Sequence, residues 1–402
     1  VSELDLTNPD HVRDPYPVLA RLRAEDPVHW SEKQHGWVLT RYDDVRAVIK
    51  SDHASADTIT PFLDAKGGQE PDADRVGRFA RLWAVFNDPP DHTRLRNALN
   101  RGFGARQVAA LAPMIADLVD GLVDGLAAQR HIDLVGDVAF PLPAMVIARM
   151  LGVPEQDIHQ VRGWSEDLGQ FIATSPHPDR YRRASAAMVA MADYFRDLVA
   201  DHPGPEQRDD ILGHLLGGRR LGIFRTDDEL VANCVLLLFA GHETTTNLLA
   251  NGTYHLLRHP DQYERLRSHP ELVPLAVEEL LRFDGPVHAL TRVVARDLER
   301  GGRRLRAGDR VFAFLTAANR DPEVFPEPDR LDIERHPNPV LSFGYGIHFC
   351  LGAPLARLEA RIALPRILAR LRGLRLLEEP RWKPLLVLRS IESLPVAFTS
   401  AA

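Results

Sequence analysis

Phe343-Gly344-Tyr345-Gly346-Ile347-His348-Phe349-Cys350-Leu351-Gly352 is the stretch on which the reading of this chain turns. Glycines at 344 and 346 let the backbone turn tightly and come close to a flat ligand, because no Cβ stands in the way. The loop runs straight into an apolar helix studded with arginine, so Cys350 falls where helical N–H groups have no intrahelical partner. Those amides and the positive end of the helix dipole favour a thiolate. A buried, inert thiol is the commoner fate of a free cysteine. Cys234, the only other cysteine, takes that plainer reading: it lies in the apolar run Val231 to Phe239 with no glycine loop or basic neighbour.

A second signal is Ala240-Gly241-His242-Glu243-Thr244-Thr245, set in the most apolar helical stretch, Val231 to Leu249. Burying a carboxylate and a hydroxyl costs several kcal/mol, roughly, unless both are satisfied, so the pair calls for a reason. The plain one is that Thr244 bonds back to the preceding turn and Glu243 reaches a salt bridge. Zinc chemistry fails on spacing. His242-Glu243-Thr244-Thr245-Thr246 has one histidine where His-Glu-x-x-His has two, and between His255 and His259 the general-base position holds Leu256.

The cysteine stretch resembles the haem-binding loop of the cytochrome P450 family, with aromatic, glycines, basic residue and cysteine all in register. The resemblance extends over residues 10–398 and implies a single domain spanning 1–402, mainly α with small β-sheets. In that fold, haem b lies between the proximal Cys-loop helix and a long distal helix. It implies Cys350 as the axial thiolate, which pushes electron density onto the iron, with Phe343, Gly344 and Gly352 shaping the loop. The distal motif implies proton delivery by Glu243 and Thr244, with Ala240 and Gly241 leaving room for O2. His92 and Arg96, in Asp88-Pro89-Pro90-Asp91-His92-Thr93-Arg94-Leu95-Arg96, would join Arg292 and His348 in holding the haem propionates. Glu279 and Arg282, at i and i+3, resemble the family's buried ion pair, with Arg330 as its second arginine.

By family position the substrate walls are the 59–86 loop, Leu238, Gly241, Val287, His288, Ala289, Leu290, Ser390 and Ile391. That mostly apolar lining suits a medium or large natural product. The implied activity is a monooxygenase that inserts one oxygen atom of O2 by hydroxylation or epoxidation. The implied substrates are polyketide- or macrolide-type compounds or carrier-bound intermediates of secondary-metabolite and antibiotic biosynthesis, and the electrons come from a ferredoxin and its reductase. Two other readings keep the haem: a peroxide-dependent peroxygenase, which would not need the acid–alcohol pair, and a non-catalytic haem-based sensor.

Composition fits. The 402 residues, 45% hydrophobic and 26% charged, can bury a large core, and no linker or repeat divides them. Two cysteines give no disulfide framework, which suits the cytoplasm. The start, Val1 to Asp10, has no signal-peptide pattern, and no run approaches the roughly 18 apolar residues of a membrane span. A formal net charge of −7 gives no reason to expect nucleic acid or an anionic membrane as partner. Arg357, Arg361, Arg366, Arg370, Arg372 and Arg375, opposed before Glu378 only by Glu359, read either as a solvated helix face or as a basic patch for an acidic electron donor, which Arg94 and Arg101 would extend.

The pattern predicts a helix over 16–25, a hairpin pairing 27–30 with 37–40, and an irregular binding loop over 51–86. It then predicts long helices over 105–265, broken at 141–143, 175–178 and near Asp209-Asp210, and a further helix over 271–283. Short strands are expected within 297–314, at 385–388 and at 395–398.

Overall fold

The structure, a computed structural model, describes residues 4–126, 128–204 and 210–401. Val1, Ser2, Glu3 and Asp209, which entered the reading of the chain start and of the acidic break, lie outside the described residues. Helices dominate and the sheets are small, as predicted. The chain divides into two compact units: Val1–Ala54, Val108–Pro143 and Thr244–Ala402 form one, Ser55–Gln107 and Ala144–Glu243 the other.

In the first unit the helix Tyr16–Glu25 buries Val18, Leu19 and Leu22 on one side. The hairpin forms in the expected register, Val28 opposite Leu39 and Trp30 opposite Trp37. Strand Arg310–Phe314 adds in parallel to Gly36–Leu39, and Ala289–Val294 pairs antiparallel beyond it, with Arg292 opposite Val311. The pattern did not predict Ala289–Val294, whose burial does not alternate. The strand expected at 385–388 reduces to one bridge, Val287 to Leu388, because the local hydrogen bonds run irregularly: His288 N–H to the Val387 carbonyl (2.7 Å) and Arg389 N–H to the Pro286 carbonyl (2.9 Å). Pro395–Ala397 is a strand, between Arg375–Leu376 and His131–Asp133. Helix Val273–Asp284 follows a short turn, Pro270–Leu272, and Gly252 of the long helix meets it at Leu280.

The second unit holds the main departure from the sequence reading. The expected loop over 51–86 contains helices Ile59–Lys66 and Pro71–Ala80 and a turn at Ala84–Phe86. Pro71 stands in the first turn, where its missing N–H costs nothing, and Ala73, Val76, Gly77 and Ala80 make a buried stripe at helical spacing. Helices Ile158–Ile172 and Arg180–Asp201 pack along each other, with Arg183 bonded to Asp167 (2.7 Å). Pro71–Ala80 packs on the latter. Pro141 and Pro143 likewise begin a helix, Pro141–Leu151.

The longest element is Asp227–Arg258, 32 residues and so about 48 Å at 1.5 Å per residue. Among the described residues no helix is long and apolar enough to cross a membrane.

Candidate active site

Cys350 ends a loop closed by its own backbone. Gly344 N–H donates to the Leu341 carbonyl (2.7 Å), Phe349 N–H to Gly346 (3.0 Å) and Cys350 N–H to Phe343 (2.9 Å). Gly344 and Gly346 have φ of +71° and +79°, the left-handed region that glycine enters without strain. Gly352 then caps the helix Ala353–Arg370. The Cys350 side chain is half-buried, and Ile347 (59%) and Phe349 (41%) are exposed on either side of His348. The Phe343 ring lies under the Arg357 guanidinium (4.3 Å to the centroid), which Glu278 fixes by two bonds of 2.6 and 2.8 Å.

The middle of Asp227–Arg258 is almost wholly buried, with one exception in pattern. Leu236, Gly241, Glu243 and Thr244 are partly accessible and Ala240 is exposed, whereas every other residue from Glu229 to Gly252 is buried. Leu236, Ala240 and Thr244 step by four and so share one face. An exposed alanine methyl halfway along a buried helix means that this face borders open space. A planar cofactor and a small gas need such an accessible apolar face, and the glycine loop, taken by itself, carries the thiol that a haem iron takes as a ligand. These observations fit a haem.

The structure revises several expected contacts. Leu238 is fully buried on the opposite face, its carbonyl accepting from His242 Nδ1 (2.6 Å), so it is not an accessible wall; Leu236 and Ala240 are. Stepping back by fours from Thr244 would have found both. Gly241 does not leave an open notch: a Cβ there would lie 2.6 Å from Ile147 Cγ1, so its bare side is filled by helix Pro141–Leu151. Val287 and Leu290 are partly accessible, whereas His288 and Ala289 are buried. His288 packs edge-on against Phe314, and burial, with the nearby Arg389 charge, pushes its pKa down to about 3, so it is neutral. Ser390 and Ile391 are buried too, and Ser390 Oγ bonds to Asn247 Oδ1 (2.9 Å). His242 is buried and held neutral by desolvation, and burial drives the Cys234 thiol up to about 12.

Of the residues expected at the propionates, His92 is buried on helix Asp91–Asn100 and Arg96 is partly accessible on it, bonding Asn100 Oδ1 (3.0 Å). Arg292 is buried in its strand, its Nη1 donating to the Thr291 carbonyl (2.9 Å), and His348 is half-buried. Arg94 is no surface charge, since Glu229 holds it by bonds of 2.6 and 2.8 Å.

The ion-pair expectation is corrected at one position. Arg282 Nε and Nη2 donate to Glu279 (2.7 and 2.8 Å), with both side chains fully buried. The second arginine is Arg335, whose Nε lies 3.2 Å from the same carboxylate; Asp332 N–H (2.9 Å) and Asn338 Nδ2 (3.2 Å) complete the set. Arg330 points to solvent and pairs with Glu327 (3.3 Å), contributing only its carbonyl, which accepts from Arg282 and Arg335 (3.2 Å each). The histidines of the apparent zinc spacing are engaged elsewhere: His255 Nε2 with Asp284 (2.7 Å), His259 Nδ1 with the His255 carbonyl (2.8 Å).

A thiol at the mouth of a glycine loop and an acid–alcohol pair on the accessible face of a long buried helix define an oxygenase of the haem-thiolate class. The family model described as Cytochrome P450 matches residues 171–380. The chain is 37% identical to the "Biotin biosynthesis cytochrome P450" of Bacillus subtilis (strain 168), over 97% of each. It is 39% identical to "Cytochrome P450 monooxygenase PikC" of Streptomyces venezuelae, over 98% of this chain and 94% of that one. Among solved structures it resembles P450BioI, in complex with acyl carrier protein ligated to hexadec-9Z-enoic acid, with a TM-score of 0.90 and 36% identity over 97% of this chain and 99% of that one. The chain belongs to the cytochrome P450 family. It is a monooxygenase whose cofactor is haem with the Cys350 thiolate as axial ligand, and it draws on O2 and a redox partner.

Proposed function

We propose that this monooxygenase acts, as a single domain in the cytoplasm, on a medium or large natural-product skeleton of polyketide or macrolide type, free or as a thioester on a carrier protein. The observation that carries the reading is the accessible face of Asp227–Arg258, where Leu236 and Ala240 offer an apolar wall and Glu243 and Thr244 an acid and an alcohol beside it. Val287 and Leu290 are themselves partly accessible and apolar. The carrier-bound form is supported by the P450BioI complex, whose acyl chain is presented on its carrier.

Haem, when bound, would supply the activation of O2, one atom of which enters a C–H or C=C bond while the other leaves as water, with two electrons from the redox partner and two protons. The protein's part is proton traffic and positioning. Glu243 takes protons from solvent and passes them to Thr244 Oγ1, which delivers them at the face beside Ala240. His92, Arg96, Arg292 and His348 are the residues that would hold the haem propionates, through charge-assisted hydrogen bonds. Cys350 would supply the thiolate to the iron, and the exposed Ile347 and Phe349 beside it would make the contact for a ferredoxin.

Optical titration of the ferric protein tests the substrate class, using macrolides, small aromatic acids and acyl thioesters on carrier protein while the iron spin state is followed. A saturable low- to high-spin shift with macrolides or carrier thioesters is expected. A shift given only by the small aromatic acids would overturn the class.

A further inference from the structure

The arginine run after Cys350 divides in two. Arg357 and Arg361 face Glu278 (2.6 and 3.7 Å), and Arg366 and Arg370 face Asp120 (3.6 and 3.1 Å). All four are paired with acids of neighbouring helices, Asp124 adding a second partner for Arg370. Arg372 and Arg375 are exposed, and neither has an ion pair among the described residues. They stand on either side of Gly373, whose φ of +66° turns the chain sharply between them.

Both arginines line one groove of about 1100 Å³, built wholly within the first unit. Its floor is apolar, from Leu257, Tyr263, Leu368, Leu374 and Leu376. Its rim is basic: Arg258 and Arg267 complete a set of four arginines against the single Glu264. Arg267 is matched by Glu264 (2.8 Å) and Arg258 by Glu379 (3.0 Å), so the uncompensated charge is that of Arg372 and Arg375. In a chain of net charge −7 this is a local positive excess over an apolar surface. None of the lining residues belongs to the haem or substrate positions described above.

The geometry points to a second binding site, for an organic anion with an apolar body and a sulfonate, carboxylate or phosphate head. The leucines and Tyr263 take the body, and the guanidinium groups of Arg372 and Arg375 take the head in charge-assisted, fork-shaped hydrogen bonds. Small-molecule sites usually run to about 300–1,000 Å³, so the groove has room for a ligand of drug size with water around it.

Calorimetric titration of the holoenzyme with naphthalene-1-sulfonate tests this, with the haem site blocked by a tight azole ligand so that only a separate site is read. One saturable site is expected, with the neutral isostere 1-naphthalenemethanol at least about tenfold weaker. The double variant Arg372→Ala/Arg375→Ala should weaken the sulfonate by about tenfold or more, with an unchanged haem spectrum, since both side chains are exposed. Should that variant fold poorly, the wild-type protein gives the same answer: sulfonate affinity should fall between about 0.05 M and 0.5 M salt as the charges are screened. No saturable binding, equal binding of the neutral isostere, or indifference to both arginines and salt would overturn the proposal. Binding of polyglutamate in place of the sulfonate, with the same dependence on the arginines, would overturn it in favour of an acidic protein partner.

Discussion

Glu359 is fully buried on the helix that follows Cys350, and neither carboxylate oxygen has a hydrogen-bond partner among the described residues. Burial raises its pKa well above the ordinary carboxylate value, so the fold holds it protonated. A folded pKa above the unfolded one means that the native state binds the extra proton, and stability falls as pH rises past about 4.5. Glu359→Gln removes that liability. Its melting temperature should exceed the wild type's by a margin that widens from pH 5 to pH 8; a constant or absent margin would show that the acid is not buried uncharged. Thr244 calls for a different readout. Thr244→Ala should keep its haem yet divert reducing equivalents to hydrogen peroxide, measured as peroxide formed per NADPH consumed. Full coupling on the true substrate would remove Thr244 from the proton path.

Elements show where the sequence was legible. Helices announced by periodic apolar residues, such as Tyr16–Glu25, were readable to the residue, and so was the Glu279–Arg282 pair, because i,i+3 spacing is fixed by the helix. The second arginine was not. Arg330 and Arg335 share an irregular, proline-rich segment with no period to say which one turns inward. Partners from distant elements were equally hidden: the arginine run looked uncompensated because Asp120, Asp124 and Glu278 lie far away in sequence. The helices within 59–80 were masked by their prolines and glycines, one of which starts a helix rather than ending it. Arg335→Ala should cost about 1–3 kcal/mol of unfolding free energy by leaving Glu279 undercompensated, whereas Arg330→Ala should stay within about 0.5 kcal/mol of wild type. Chemical denaturation of the two variants checks it, and equal losses would restore Arg330 to the pair.

At the scale of the whole molecule, Asp284 ties together remote parts of the first unit. It accepts from Tyr16 Oη (2.5 Å), His255 Nε2 (2.7 Å) and Arg389 Nε (3.1 Å), and Arg389 in turn bonds the Val12 and Arg13 carbonyls (2.6 and 2.7 Å). Burial alone would raise its pKa, but the Arg389 charge and the bonds from His255 and Tyr16 prevail and hold it far below the usual range. With a folded pKa below the unfolded one, its contribution is complete above about pH 4 and is lost as pH falls, opposite in sign to Glu359. Asp284→Asn should therefore lower stability by about 3–5 kcal/mol at pH 7 and flatten the acid limb of the stability curve; an unchanged acid limb would place the acid sensitivity elsewhere.

The monooxygenase activity of the whole molecule depends on one ligand, the Cys350 thiolate. The absorption spectrum of the reduced, carbon monoxide-bound protein reports directly on the iron's axial partner, and wild type and Cys350→Ser should be compared. The wild type should show the strongly red-shifted band of a thiolate-ligated haem and the variant should lose it; a wild type without that band, or a variant that keeps it, would contradict the assignment of Cys350 as the ligand.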